Sequence, residues 1–163
     1  MSTFNKQLRS YKPIWFKVWE LVSRAAWGKR GERALMGIDT RLLITIDTLR
    51  QILTEINPDK AALTCNDWMV GGKRQYSCLR LPSDKYYSEF SAHSRGQGID
   101  LVSRHYTADE LREIIIKNRD RLPYLTRLEI DVSWVHLDVF NLPESAPEGA
   151  IMLFTPSGDV SYI

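Results

Sequence analysis

The apolar pattern changes its period partway along the chain, and that change limits the fold more than any other feature. Leu42, Leu43, Ile46, Leu49, Leu53 and Ile56 recur at helical spacing behind Asp39, whose carboxylate suits an N-cap. Asn57-Pro58 stops this helix, because a residue before proline is pushed out of the helical region. Thr107 and Glu110 form a capping box ahead of Leu111, Ile114 and Ile115, predicting another helix that ends before Pro123. From Arg127 onward the period falls to two. Trp134, His136, Asp138 and Phe140 alternate there with Val135, Leu137 and Val139. Residues 150–154, the turn Thr155-Pro156-Ser157-Gly158 and residues 159–163 read as a closing hairpin. Helices early and strands late predict an α+β fold, with helices packed on a small, mainly antiparallel sheet.

Three other segments carry weaker patterns. Pro13 can open a helix at its first turn, with Ile14, Val18, Leu21, Val22 and Ala25 following helical spacing and Gly28 and Gly31 ending it. Trp15, Trp19 and Trp27 widen its apolar surface. Residues 61–65 predict a short strand, and residues 66–92 form a long polar and aromatic stretch containing Gly71-Gly72. An irregular stretch of that length inside a domain is usually functional or disordered. There is no repeat or Pro/Ser-rich linker, so the 163 residues read as one domain. A chain of this size buries roughly 70% of its unfolded surface and needs no disulfide or metal to fold.

Charge is unevenly spread. Residues 1–33 hold eight Lys and Arg against Glu20 and Glu32, a local charge of +6 within a net charge of +2. Such a segment suits nucleic acid, anionic lipid or an anionic wall polymer. Here the cations are dispersed among aromatics, so a solvated helix face is the plain reading and nucleic acid is not an expected partner. No apolar run approaches the roughly 20 residues of a membrane span. The start, MSTFNKQLRSYK, lacks the apolar core of a secretory signal. The expectation is a protein that is cytoplasmic at synthesis and monomeric by default, with Cys65 and Cys78 as reduced thiols.

The chemistry-bearing residues are sparse. Of three histidines, His93 opens His93-Ser-Arg-Gly96-Gln-Gly98-Ile-Asp100, and His136 lies on the alternating segment near the carboxyl end. Two imidazoles and one carboxylate suffice to hold a catalytic zinc with its fourth position open. Gly96 and Gly98 let the backbone turn tightly between two of these ligands. His105, in Ser-Arg-His-Tyr, has no partnering pattern and reads as a surface residue.

Ser91-Ala-His93-Ser-Arg-Gly96-Gln-Gly98-Ile-Asp100, followed by Trp134-Val-His136, resembles the zinc signature of the D-alanyl-D-alanine carboxypeptidase type of metallopeptidase. That superfamily includes phage peptidoglycan endopeptidases, vancomycin-resistance dipeptidases and the hedgehog amino-terminal domain. Weaker likenesses are the helix from Ile38-Asp39 to Leu49-Arg50, Asn66-Asp67-Trp68 with Gly71-Gly72, and Ser77-Cys78-Leu79-Arg80. The likeness spans roughly residues 25–140. Gly98 stands where the phage members usually have Ala, and Cys78 where many have Gly.

The resemblance implies that His93, Asp100 and His136 hold one zinc ion, which polarises a peptide carbonyl and activates water. Arg80 matches the family arginine near the metal, to steady an oxyanion or hold a substrate carboxylate, the alternative being a surface ion pair. Many members place the general base three residues before the second histidine, where this chain has Ser133. Asp131 is the favoured substitute and Glu129 the next. Asp138, two residues past His136, shares its strand face and is expected to orient an imidazole, or else to be a solvated acid. Ser91 is expected to support the ligands from behind. Trp134 either walls the cleft or joins the core. The implied activity is hydrolysis of stem or cross-link peptides of bacterial peptidoglycan, in a phage or prophage lysin released by a holin or carried in a virion. The rival expectations are a non-catalytic zinc-containing binding or virion structural protein on the same scaffold, and a nucleic-acid-binding domain.

Overall fold

The computed structural model describes residues 6–163, so the first five residues of the basic segment lie outside the described residues. Asp39 caps a helix over Thr40–Ile56, accepting from Arg41 N at 2.9 Å. In chain order this is α2. It follows α1, Arg24–Arg30, and precedes α3, Ala108–Lys117. Both halves of the Thr107–Glu110 capping box form at the start of α3. Leu42, Leu43, Ile46, Leu49 and Leu53 are buried as the spacing predicts. Ile56 is 53% exposed at the carboxyl end of α2, and Ile52, at 1%, completes the stripe in its place.

Six strands form one sheet: β1 (Leu63–Thr64), β2 (Gly98–Ser103), β3 (Arg127–Glu129), β4 (Val135–Asp138), β5 (Met152–Phe154) and β6 (Val160–Tyr162). Their order is β1-β2-β4-β3-β5-β6, antiparallel throughout except for the parallel β3–β5 pair. The closing hairpin forms as expected, while the strand predicted over residues 61–65 pairs only at Leu63 and Thr64.

Alternation along the strands divides the sheet into two chemically different faces. Ile99, Leu101, Leu128, Val135 and Leu137 are no more than 1% exposed and join the α2 and α3 residues in one core. Asp100, Arg127, Glu129, His136, Asp138 and Phe154 occupy the opposite face. The helices thus cover the apolar face and leave the polar one to the loops.

The helix predicted from Pro13 does not form. Residues 13–17 are irregular, a single 3-10 turn spans Val18–Glu20, and α1 begins only at Arg24. Backbone groups of this segment bind elsewhere. The buried Asp47 carboxylate accepts from Ile14 N at 2.6 Å, Trp15 N at 3.1 Å and the Tyr11 hydroxyl at 2.8 Å. Val22 O accepts from Asn66 Nδ2 and Trp68 Nε1, and Leu21 O accepts from Leu79 N. Ser23 then caps α1, accepting from Ala26 N at 3.1 Å. Tertiary hydrogen bonds outweigh helical periodicity here, and Ile14 is left 78% exposed.

The irregular stretch at 66–92 is tied down by its own polar residues. Asn66 Oδ1 accepts from Ser77 N, Asp67 Oδ1 from Arg74 N, and Asp84 Oδ2 from Leu81 N. Leu79 also bridges to Val22, so the stretch is strapped across the sheet beside the amino-terminal segment.

Candidate metal centre

Three separate elements converge on the polar face of the sheet. Asp100 lies in the middle of β2, and the antiparallel register sets it directly against His136 of β4. His93 comes from the turn before β2. That turn is docked on the start of α2: Asp39 N donates to Gly96 O at 2.9 Å, and Gln97 Nε2 donates to Asp39 Oδ2 at 2.9 Å. Gly96 has φ +65, and a Cβ there would lie 1.9 Å from Gly37 O, so only glycine fits. At Gly98 a Cβ would meet Ala92 Cβ at 2.8 Å and the His136 ring at 3.2 Å. The absence of a side chain at both positions lets the loop close onto the strand.

One nitrogen or oxygen from each of His93, Asp100 and His136 lies within 4.8 Å of the others. His93 Nε2 is 3.4 Å and His136 Nδ1 2.8 Å from Asp100 Oδ1. Ligand atoms around a tetrahedral ion with bonds of about 2.0–2.2 Å stand about 3.4 Å apart. The group can therefore hold a metal ion.

The remaining ring nitrogens decide which lone pairs are free. His93 Nδ1 donates to Cys78 O at 2.9 Å, which leaves Nε2 as the acceptor facing Asp100. His136 Nε2 donates to Asp138 Oδ2 at 3.0 Å, which leaves Nδ1 on the same side. Asp138 is fully buried and accepts from Arg127 Nε and Nη2 and from Phe140 N. Each imidazole is thus held from behind by a fixed acceptor, as metal-binding histidines generally are.

Charge around the triad is dense. Burial disfavours ionised Asp100, but the hydrogen bond from His136 and the neighbouring His93 imidazole outweigh it and hold the carboxyl far below the usual carboxylate range. Burial likewise opposes a charged His136. The hydrogen bonds and charges of Asp100 and Asp138 overcome it and push the imidazole up to about 9. His93, with its Nδ1 on a neutral carbonyl, is pulled below its ordinary value by burial. Without a metal, then, a proton on His136 Nδ1 bridges it to Asp100.

A cavity of about 420 Å³ opens over the triad. Arg80 lines it and donates from Nη2 to Asp100 Oδ2 at 3.2 Å and from Nε to Tyr76 O at 2.6 Å, an anchored rather than a surface cation. Glu129 lines it too, from the His136 side of the sheet. Asp131 does not: it is exposed, with φ +63, in the turn that leaves β3. Ser133 is exposed and lines a different cavity. Trp134, 36% exposed, walls the cavity over the triad and is not core. Ser91 lines the cavity, and its Oγ accepts from Ser94 N in the turn that carries His93. His105 is exposed, as its lack of partners suggested.

No family model, curated protein or solved structure matches this chain. The likeness to the D-alanyl-D-alanine carboxypeptidase type therefore rests on the motif residues alone.

Two arginines that the sequence reading passed over help build the site. Arg112 of α3 is buried and clamps the β3–β4 connection, donating to Glu129 O at 2.8 Å, Val132 O at 2.7 Å and Trp134 O at 2.6 Å. Its signal was its place beside Leu111 and three residues before Ile115, on the buried side of an amphipathic helix. Arg127 binds Asp138 with two nitrogens and lies over the Phe140 and Phe154 rings, 4.7 and 5.2 Å from their centroids. Cys65 and Cys78 are free and buried, and burial pushes the Cys65 thiol well up.

Proposed function

We propose that the protein is a zinc-dependent peptidase acting on the peptide part of bacterial peptidoglycan. The observation that carries this reading is the fixing of both imidazoles from behind, by Cys78 O and Asp138, so that two lone pairs and the Asp100 carboxylate face one point. His93 Nε2, His136 Nδ1 and Asp100 would hold the ion. This mixed nitrogen and oxygen set suits zinc, and a three-residue set is the catalytic kind. The chemistry such an ion supplies is Lewis acidity toward a peptide carbonyl and toward water.

The chain's own residues supply the rest. Glu129, on the His136 face and in the cavity wall, is the proton acceptor and returns the proton to the leaving amine. Asp131, outside the cavity, is not assigned this role. Arg80 presents a guanidinium fixed at Tyr76 O and Asp100 toward the same cavity, where it holds a substrate oxygen as negative charge develops. The peptidoglycan substrate and the lysin setting come from the motif resemblance.

The test is zinc content by atomic emission, together with release of new amino groups and muropeptide masses from isolated peptidoglycan. His93→Ala and His136→Ala lose both metal and cleavage. Glu129→Gln keeps zinc and loses about 10²–10⁴-fold in rate, whereas Asp131→Asn keeps both. Full activity in Glu129→Gln with none in Asp131→Asn returns the base to Asp131. The second reading, a zinc-binding protein that hydrolyses nothing, is favoured by the exposed Ser133 and is chosen if the wild type holds zinc without cleaving.

A further inference from the structure

Asp100 lines two cavities, whereas His93 and His136 line only the first. A second cavity, of about 580 Å³, shares Arg80, Asp100 and Trp134 with the first and extends along residues 73–77 to Tyr86. The two differ in charge. The first sets Arg80 and Arg127 against Asp100 and Glu129. The second sets Lys73, Arg74 and Arg80 against Asp100 alone.

Two features mark the second cavity as built. Arg74 is fixed along its wall, with Nε donating to Cys65 O at 2.8 Å and Nη2 to Asp100 O at 3.3 Å. Tyr86 has φ +66, a left-handed backbone that disfavours a bulky side chain. Its carbonyl accepts from Arg80 Nη1 at 3.3 Å, and its ring meets Tyr76 edge-on with centroids 6.0 Å apart. Strain of this kind persists where the surroundings impose it, and it concentrates at functional sites. Here it holds an aromatic side chain, 64% exposed, at the cavity mouth. Lys73 is exposed and has no carboxylate partner among the described residues.

We propose that this second cavity is a subsite for an acidic residue of the substrate peptide, so that the peptide runs across the triad with a carboxylate on the Lys73 side. The inference rests on the peptidase reading and adds the charge the substrate must carry. Lys73 meets the carboxylate, Arg74 and Arg80 supply the surrounding positive potential, and Tyr76 and Tyr86 flank the chain. A cation at the rim acts on binding and encounter more than on the chemical step.

The probes are synthetic stem peptides that differ only in which carboxylate is converted to a carboxamide. With the zinc-loaded wild type, one such conversion raises KM about three- to tenfold and leaves kcat within twofold. Lys73→Glu raises KM for the parent peptide by at least as much and removes the difference between acid and amide, and Lys73→Gln falls between. Equal KM across all peptides, or an unaltered KM in Lys73→Glu, overturns the subsite. If the wild type cleaves none of the peptides, the peptidase reading falls, and calorimetric dissociation constants for the same set decide the subsite. A Lys73-dependent preference for the acid supports it, and equal affinities overturn it.

Discussion

Asp138→Asn isolates the contact that sets the orientation of His136. Asp138 is fully buried, and all its contacts are donors: Arg127 Nε and Phe140 N on Oδ1, Arg127 Nη2 and His136 Nε2 on Oδ2. Asparagine keeps the shape but replaces one acceptor oxygen with a donor. If the amide nitrogen took the Oδ1 place, it would face a backbone N–H and a guanidinium N–H, neither of which can accept. In the Oδ2 place it also faces Arg127 Nη2, which cannot accept, but it meets His136, which can accept by moving its proton to Nδ1. The second arrangement wins, and it blocks the nitrogen that faces Asp100. Loss of such a supporting contact costs about 10–100-fold in metal affinity, or about 1.4–2.8 kcal/mol. Leaving Arg127 without a buried carboxylate partner costs up to about 3 kcal/mol of folding stability. The assay is zinc competition against a chromophoric chelator at pH 7.5, with urea unfolding of the metal-free protein in parallel. Zinc affinity within twofold of wild type, in a variant that folds, would refute the role given to Asp138.

The glycines of the metal loop are expected to separate by severity. Gly96→Ala adds an unfavourable positive φ to a backbone clash at Gly37 O and gives little folded protein, read as loss of a cooperative thermal transition. Gly98→Ala can be relieved by a shift of Ala92, so it folds with about 1–3 kcal/mol less stability by urea titration. Asp39 supplies a pH test. Burial raises its carboxyl, but the Arg41 side chain, Gln97 and Arg41 N outweigh it and bring the value down to about 2. A carboxyl depressed by folding stabilises above its unfolded value of about 4 and loses that contribution as pH falls toward about 2. Asp39→Asn keeps a good N-cap and should be about 1 kcal/mol less stable at pH 6, after allowance for solvent screening. The difference should shrink below about pH 5 and vanish by about pH 1, below both values, and one that persists there would contradict the assignment.

The fold was legible where a pattern repeats along several turns or strands. α2, α3 and the closing hairpin each combine a period with a cap or a turn, and two local signals that agree are seldom overridden. The segment after Pro13 carried a period without a cap. Its backbone groups found better partners in Asp47, Asn66, Trp68 and Leu79, all distant in sequence, and the helix gave way. The stretch at 66–92 has no period at all. Its order comes from single asparagine and aspartate side chains bonding to nearby main chain, a rule of position rather than of composition.

The three candidate ligands were legible for a different reason. His93 and Asp100 are close in sequence, and an antiparallel register can bring His136 to Asp100 once both lie on neighbouring strands. Strand parity could not rank the two acids before His136, and the resemblance favoured Asp131 over Glu129. Alternation places Glu129 on the His136 face only if β3 stays regular up to that residue, and Asp131 competes only if the chain bulges inward. Arg112 holds three carbonyls of residues 129–134 where the chain leaves β3, and Asp131 lies exposed there while Glu129 lines the cavity. Carbonyl acceptors belong to every residue and leave no mark in a sequence, so neither this clamp nor the Cys78 carbonyl behind His93 could be read beforehand. The aspartate behind His136 could be, because its acceptor is a side chain on the same strand face.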